Sequence, residues 1–145
     1  MNSKLNVKQW LIASIAVFVV LSILEFLVGR FLLGPWVAQL MPAAPQPENM
    51  MMARLWIYLG RLISSVMFAF VFTQGYEGKP GIGEGLRYGL WIALMVQLPV
   101  FFTSLVTTSF GVDFLITRLV ASVVQMLVCG VVVGLIYKGQ KTTTA

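Results

Sequence analysis

The sequence predicts an all-α polytopic membrane protein, one antiparallel bundle of four transmembrane helices. Three observations carry this. Hydrophobic residues make up 59% of the 145 residues and charged residues only 10%, with a mean hydropathy of +0.90. Soluble domains run at about 45–50% apolar and about 25% charged. Apolar stretches long enough to cross a bilayer, about 20 residues each, recur four times and use up the chain. They are continuous and do not alternate, so they read as helices and not as barrel strands. This composition excludes an ordinary soluble domain, a disordered chain and a nucleic-acid reader. With 13 glycines and 1 cysteine, it also excludes collagen and disulfide scaffolds.

The predicted spans cover 10–33, 53–73, 87–109 and 114–137, within a single domain over 1–145. The third is uncharged over 88–112 and the fourth over 119–137. Arg61 interrupts the second, and Glu25 and Arg30 interrupt the first. Lys4 and Lys8 precede an uncharged stretch over 9–24, near the upper length of a signal core. No small-x-small site follows closely and apolar character resumes at Phe26, so the expectation is a retained span.

Orientation follows from the loop cations. Lys4, Lys8, Lys79, Arg87, Lys138 and Lys141 fall on one side, and the other side holds little beyond Arg54. Both termini are therefore expected in the cytoplasm. Trp10 and Trp91 fall near that interface and Trp36 and Trp56 near the other, an aromatic-belt pattern. The net charge of +5 thus reads as a topology signal with membrane lipids as partners.

The outer loop over 34–52 carries Pro35, Pro42, Pro45 and Pro47, which oppose a long helix. Met41, Met50, Met51 and Met52 would suit a soft metal, but packing at the membrane surface is the preferred reading. The loop from Gly75 to Gly85 fits no nucleotide-binding fingerprint: Leu86 stands where one pattern needs glycine, and no Gly-Lys-Ser/Thr occurs. It reads as an inter-helix turn, with Glu84 near the start of the third span. The short loop near Gly111–Asp113 makes the last two helices antiparallel neighbours, with Asp113 as the expected N-cap. The tail over 138–145 is expected to be disordered.

The inventory of reactive groups is small. The chain has no histidine, and its one cysteine, Cys129, lies deep in the fourth span. Zinc, haem and triad chemistries lack their ligands or bases, so no metal, cofactor or enzymatic activity is expected. The intramembrane charges are the informative feature, because each costs about 2.5–3.5 kcal/mol at the bilayer centre. Glu25 and Arg61 fall roughly 12 Å below the outer surface and Arg118 roughly 6 Å, at 1.5 Å per residue. Helical spacing extends these charges into polar stripes expected to face inward. The stripes are Ser14, Ser22, Glu25 and Gly29; Arg54, Tyr58, Arg61 and Ser65; Gln97, Ser104 and Thr108; and Arg118, Ser122, Gln125 and Cys129.

Two readings of this seam stay open. In one, the polar groups bond across helices and Glu25 neutralises Arg61, as glue for a scaffold or accessory component. In the other, Glu25, Arg61 and Arg118, with Gln97 and Gln125, line a site for an anion or lipid in a small transporter or binder. Pro99 interrupts the third span and is a candidate kink. Gly130 and Gly134, four residues apart, permit close helix approach, either within the chain or in an oligomer.

Several segments form a wider pattern: Ile23-Leu24-Glu25-Phe26-Leu27, Gly75-Tyr76-Glu77-Gly78-Lys79, Glu84-Gly85-Leu86-Arg87-Tyr88-Gly89, and Gly134-Leu135-Ile136-Tyr137 after Gly130. Together they resemble a group of uncharacterised small bacterial four-span membrane proteins. That resemblance covers most of the chain and implies a bacterial inner-membrane location, with no substrate. Small multidrug transporters also have four spans and one glutamate in the first. Here the arginines available to Glu25 and the proline-rich loop depart from that family. The expectation is a non-enzymatic inner-membrane component whose partners are lipids, itself or another membrane protein.

Overall fold

The computed structural model describes residues 7–40, 48–75 and 81–137, and among these it is helical nearly throughout. Helix α1 spans Val7–Leu27, a π-helical segment spans Val28–Leu33, and α2 spans Gly34–Leu40. Helices α3 (Met50–Gly75), α4 (Gly81–Thr107) and α5 (Val112–Tyr137) follow. Four stretches, Val7–Gln39 and these last three helices, are long and apolar enough to span a membrane. The protein is an all-α, multi-pass integral membrane protein.

The first span runs further than the sequence predicts. Pro35 was expected to end it, yet the chain stays helical to Leu40. A proline lacks the N–H for the i−4 carbonyl, and its ring crowds that carbonyl. The wider π-turn before Pro35 changes the register there. A Cβ on Gly34 would lie 2.8 Å from the Gly29 carbonyl oxygen, so this turn requires a glycine. Helix α3 starts at Met50, where Asn49 caps it: its Oδ1 accepts from the Met52 N–H at 3.1 Å. Helix α5 starts at Val112, which puts Asp113 inside the first turn instead of at the cap. Glu84 likewise lies in the first turn of α4, a site the helix dipole favours for a carboxylate.

The last part of the predicted glycine-rich turn is helix. Gly81 and Gly85 belong to α4 and are buried. With Gly89 they form a four-residue repeat that meets α5 backbone to backbone. A Cβ built on Gly85, Gly89, Gly130 or Gly134 would come under 3.0 Å from a carbonyl oxygen of the facing helix. The alternative left open for Gly130 and Gly134 is thereby decided: they pack within the chain. Residues 76–80, and with them Lys79, lie outside the described residues, as do 41–47 and the tail over 138–145.

Helix α4 packs most extensively on α5, and α1 packs on both α3 and α5. The core combines Ala13, Val17 and Leu21 of α1, Phe68, Ala69 and Phe72 of α3, and Cys129, Val133 and Tyr137 of α5. All lie toward the end of the bundle where α1 begins and α5 finishes, here called the packed end. Tyr88 of α4 closes this end. Its ring centroid lies 5.1 Å from those of both Phe68 and Phe72, and its hydroxyl donates to the Phe68 carbonyl at 2.9 Å. Trp10 reaches α3 similarly, its Nε1 donating to the Val66 carbonyl at 3.4 Å.

The opposite, open end is looser. Between Met50 and Ser64, α3 buries no side chain. At this end Phe114 of α5 packs against Trp36 of α2, with centroids 6.1 Å apart.

The close approach of α4 and α5 makes a sharp prediction. Gly85→Ala or Gly130→Ala forces the helices apart and lowers the unfolding midpoint in detergent, by at least the roughly 1–3 kcal/mol of an over-packed core. Gly60→Ala in α3, with nothing within 4 Å of the new methyl, is neutral or gains up to about 1 kcal/mol of helix propensity.

Candidate functional site

The intramembrane charges follow from the two ends of the bundle. Arg61 stands eleven residues into α3, about 16 Å along its axis, because α3 begins earlier than the predicted span. Its Nη2 lies 3.7 Å from Glu25 Oε2 on α1. The guanidinium also sits 5.6 Å above the Tyr58 ring, a cation–π arrangement within α3. The Arg61 side chain is 18% exposed and the Glu25 side chain 51%. The pair thus sits at the outer rim of the α1–α3 contact, with the carboxylate toward the bundle surface.

The predicted polar stripes do not face inward along their whole length. Ser14, Ser65, Gln125 and Cys129 are buried at or toward the packed end, whereas Glu25, Gly29, Arg54, Tyr58 and Arg118 are exposed. The helices part toward the open end, so one stripe passes from core to surface. The buried serine hydroxyls bond within their own helices. Ser14 Oγ donates to the Trp10 carbonyl and Ser65 Oγ to the Arg61 carbonyl, each at 2.8 Å and each within its own helix. Trp10 and Tyr88 supply hydrogen bonds that do cross between helices. Sequence reasoning placed Trp10 in the aromatic belt and assigned Tyr88 no bonding role. The available signal was the pairing of an apolar ring with one polar atom, which in hydrocarbon needs a partner.

Arg118 makes no ion pair with any described residue. It lines a shallow groove between α4 and α5, together with Gln97, Val100, Phe101, Ser104, Leu115 and Leu119. Gln125 is buried further along α5. The structure thus brings Glu25 and Arg61 together, sets Arg118 and Gln97 in a groove of their own, and leaves Gln125 in the interior. Pro99 lies within α4, which remains helical through it. Met50 and Met51 border a surface hollow with Arg54, Leu55 and Tyr58, and Met41 lies outside the described residues. No cluster of three or more His, Cys, Asp or Glu that could hold a metal occurs among the described residues.

This arrangement can hold opposite charges at membrane depth and offer a guanidinium to an anion. Comparison with known proteins finds no matching family, curated protein or solved structure.

Removing one member of the Glu25–Arg61 pair strands a charge at hydrocarbon depth. Glu25→Gln and Arg61→Gln should each lower the unfolding midpoint, and the double variant should lose less than the sum. Thermal unfolding of all four proteins in one detergent reads the coupling, expected at roughly 0.5–3 kcal/mol. Strict additivity would mean that the two groups do not stabilise each other.

Proposed function

We propose that this protein is a non-enzymatic accessory or scaffold component of a bacterial inner membrane. It works by packing against another membrane chain, either a second copy or a different protein. The single observation that carries this reading is the uncovered first half of α3. Over residues 50–64 no side chain is buried, yet Arg54, Tyr58 and Arg61 form a polar stripe there. Arg61 is met by Glu25 within the chain, but lipid chains cannot satisfy Arg54 and the Tyr58 hydroxyl, and a partner helix can. The absence of histidine, the buried Cys129 and the small number of acids support a non-catalytic role. The transporter alternative calls for an enclosed polar site, and the half-exposed Glu25 carboxylate favours the accessory reading over it.

Both termini, and with them the packed end, lie on the cytoplasmic side in this reading, by the loop cations. Cysteine labelling tests that in cells. Cys129 is fully buried, so the native background is low. Glu48→Cys should react with a membrane-impermeant maleimide in spheroplasts, and Gln74→Cys should react only after lysis. The reverse pattern would invert the topology.

A photoreactive residue at Trp56, which is exposed on α3, tests the packing role. A defined crosslinked species, resolved by mass spectrometry as a second copy or one other membrane protein, is the expected product. Crosslinks to lipid alone would overturn the accessory reading.

A further inference from the structure

The groove around Arg118 lies outside the Glu25–Arg61 pair and outside the α3 surface. We infer that it binds the phosphate of a phospholipid headgroup and prefers lipids of net negative charge. The inference goes beyond the accessory role and does not depend on it.

Depth comes first. Arg118 lies six residues past the start of α5, about 9 Å along the helix from the open end. Ser104 and Gln97 lie three and ten residues before the end of α4, about 5 and 15 Å from the same end. The groove therefore runs from just under the interface into the hydrocarbon. A small aqueous anion would have to leave water to reach it, whereas a lipid headgroup already sits above it.

Chemistry comes second. A guanidinium left alone at this depth is costly, and Arg118 has no carboxylate partner among the described residues. A phosphodiester matches its planar fork with two parallel hydrogen bonds. The long side chain can rise toward the interface to meet it. The Gln97 amide and Ser104 hydroxyl add donors along the same groove, and Val100, Phe101, Leu115 and Leu119 give it apolar flanks. No acidic residue lines the groove, so the ammonium of a zwitterionic headgroup finds no counter-charge there. That asymmetry selects net-anionic lipids.

The test uses the full chain reconstituted in vesicles of phosphatidylglycerol and phosphatidylcholine, followed by native mass spectrometry of the lipids retained after detergent extraction. Wild type should retain phosphatidylglycerol several-fold above its share of the vesicle. Arg118→Gln should remove that enrichment and Arg118→Lys should reduce it, because the charge survives without the fork. Arg54→Gln, outside the groove, should leave it intact. Gln97→Leu, which changes no charge, should lower retention several-fold, and it decides the matter if Arg118→Gln does not fold. Equal retention of the two lipids by wild type, or unchanged enrichment in a folded Arg118→Gln protein, would overturn the proposal. Displacement of the bound lipid by millimolar inorganic phosphate would assign the groove to a free anion and overturn the lipid assignment.

Discussion

The bundle depends on the backbone contact between α4 and α5. Within a bilayer, helices gain nothing by hiding apolar surface from one another, since lipid tails are equally apolar. Association rests on van der Waals contact and interhelical hydrogen bonds, both of which reward close approach. Gly81, Gly85 and Gly89 remove side chains from one stripe of α4, and Gly130 and Gly134 do the same on α5. The carbonyls of each helix then lie against the α-carbons of the other, a setting for weak Cα–H···O contacts. With these two helices locked as a hairpin, Tyr88 is held where its ring meets Phe68 and Phe72 of α3. The rest of the packed end assembles around that contact.

The same constraint accounts for the open end. The glycine repeat of α4 covers only its first three turns, and the facing glycines of α5 lie in its last three. Past Ala93 the residues facing α5 are larger, among them Gln97, Phe101 and Ser104. A groove forms there where the other end has a backbone contact. Helix α3 buries no side chain in its first half, and its Gly60 meets no neighbouring helix there. Charges concentrate where packing stops, because a loosely packed region tolerates a guanidinium that a close-packed one excludes.

Glu25 and Arg61 illustrate what such a site does. Each alone would be costly at its depth; together they form one polar unit at the edge of the bundle. The Tyr58 ring under Arg61 adds a face that attracts the cation. Arg118 faces the same cost with no ion-pair partner among the described residues. The two arginines, similar in sequence context, therefore differ in what they ask of their surroundings: one is answered within the chain and the other is turned toward the lipid.

Much of this was legible in the sequence, for physical reasons that differ by residue. Span number and helix type follow from composition and continuous apolar runs, because hydrocarbon permits only structures that satisfy their own backbone. The Glu25–Arg61 pairing was readable from depth and charge, since neither residue can remain alone there. Asn49 as a cap and the helical passage of Pro35 were not foreseen. The passage of Pro35 depends on the register that the π-turn before Gly34 sets, and the cap depends on where α3 starts. The inward course of the polar stripes failed at the open end, because spacing specifies a face of a helix but not what stands opposite. Only the tertiary structure decided that Gly130 and Gly134 meet Gly81, Gly85 and Gly89 inside one chain, and that Arg118 and Gln97 share a groove apart from Glu25. Those outcomes rest on which helices touch and over what length, a property of pairs of segments that no single segment carries.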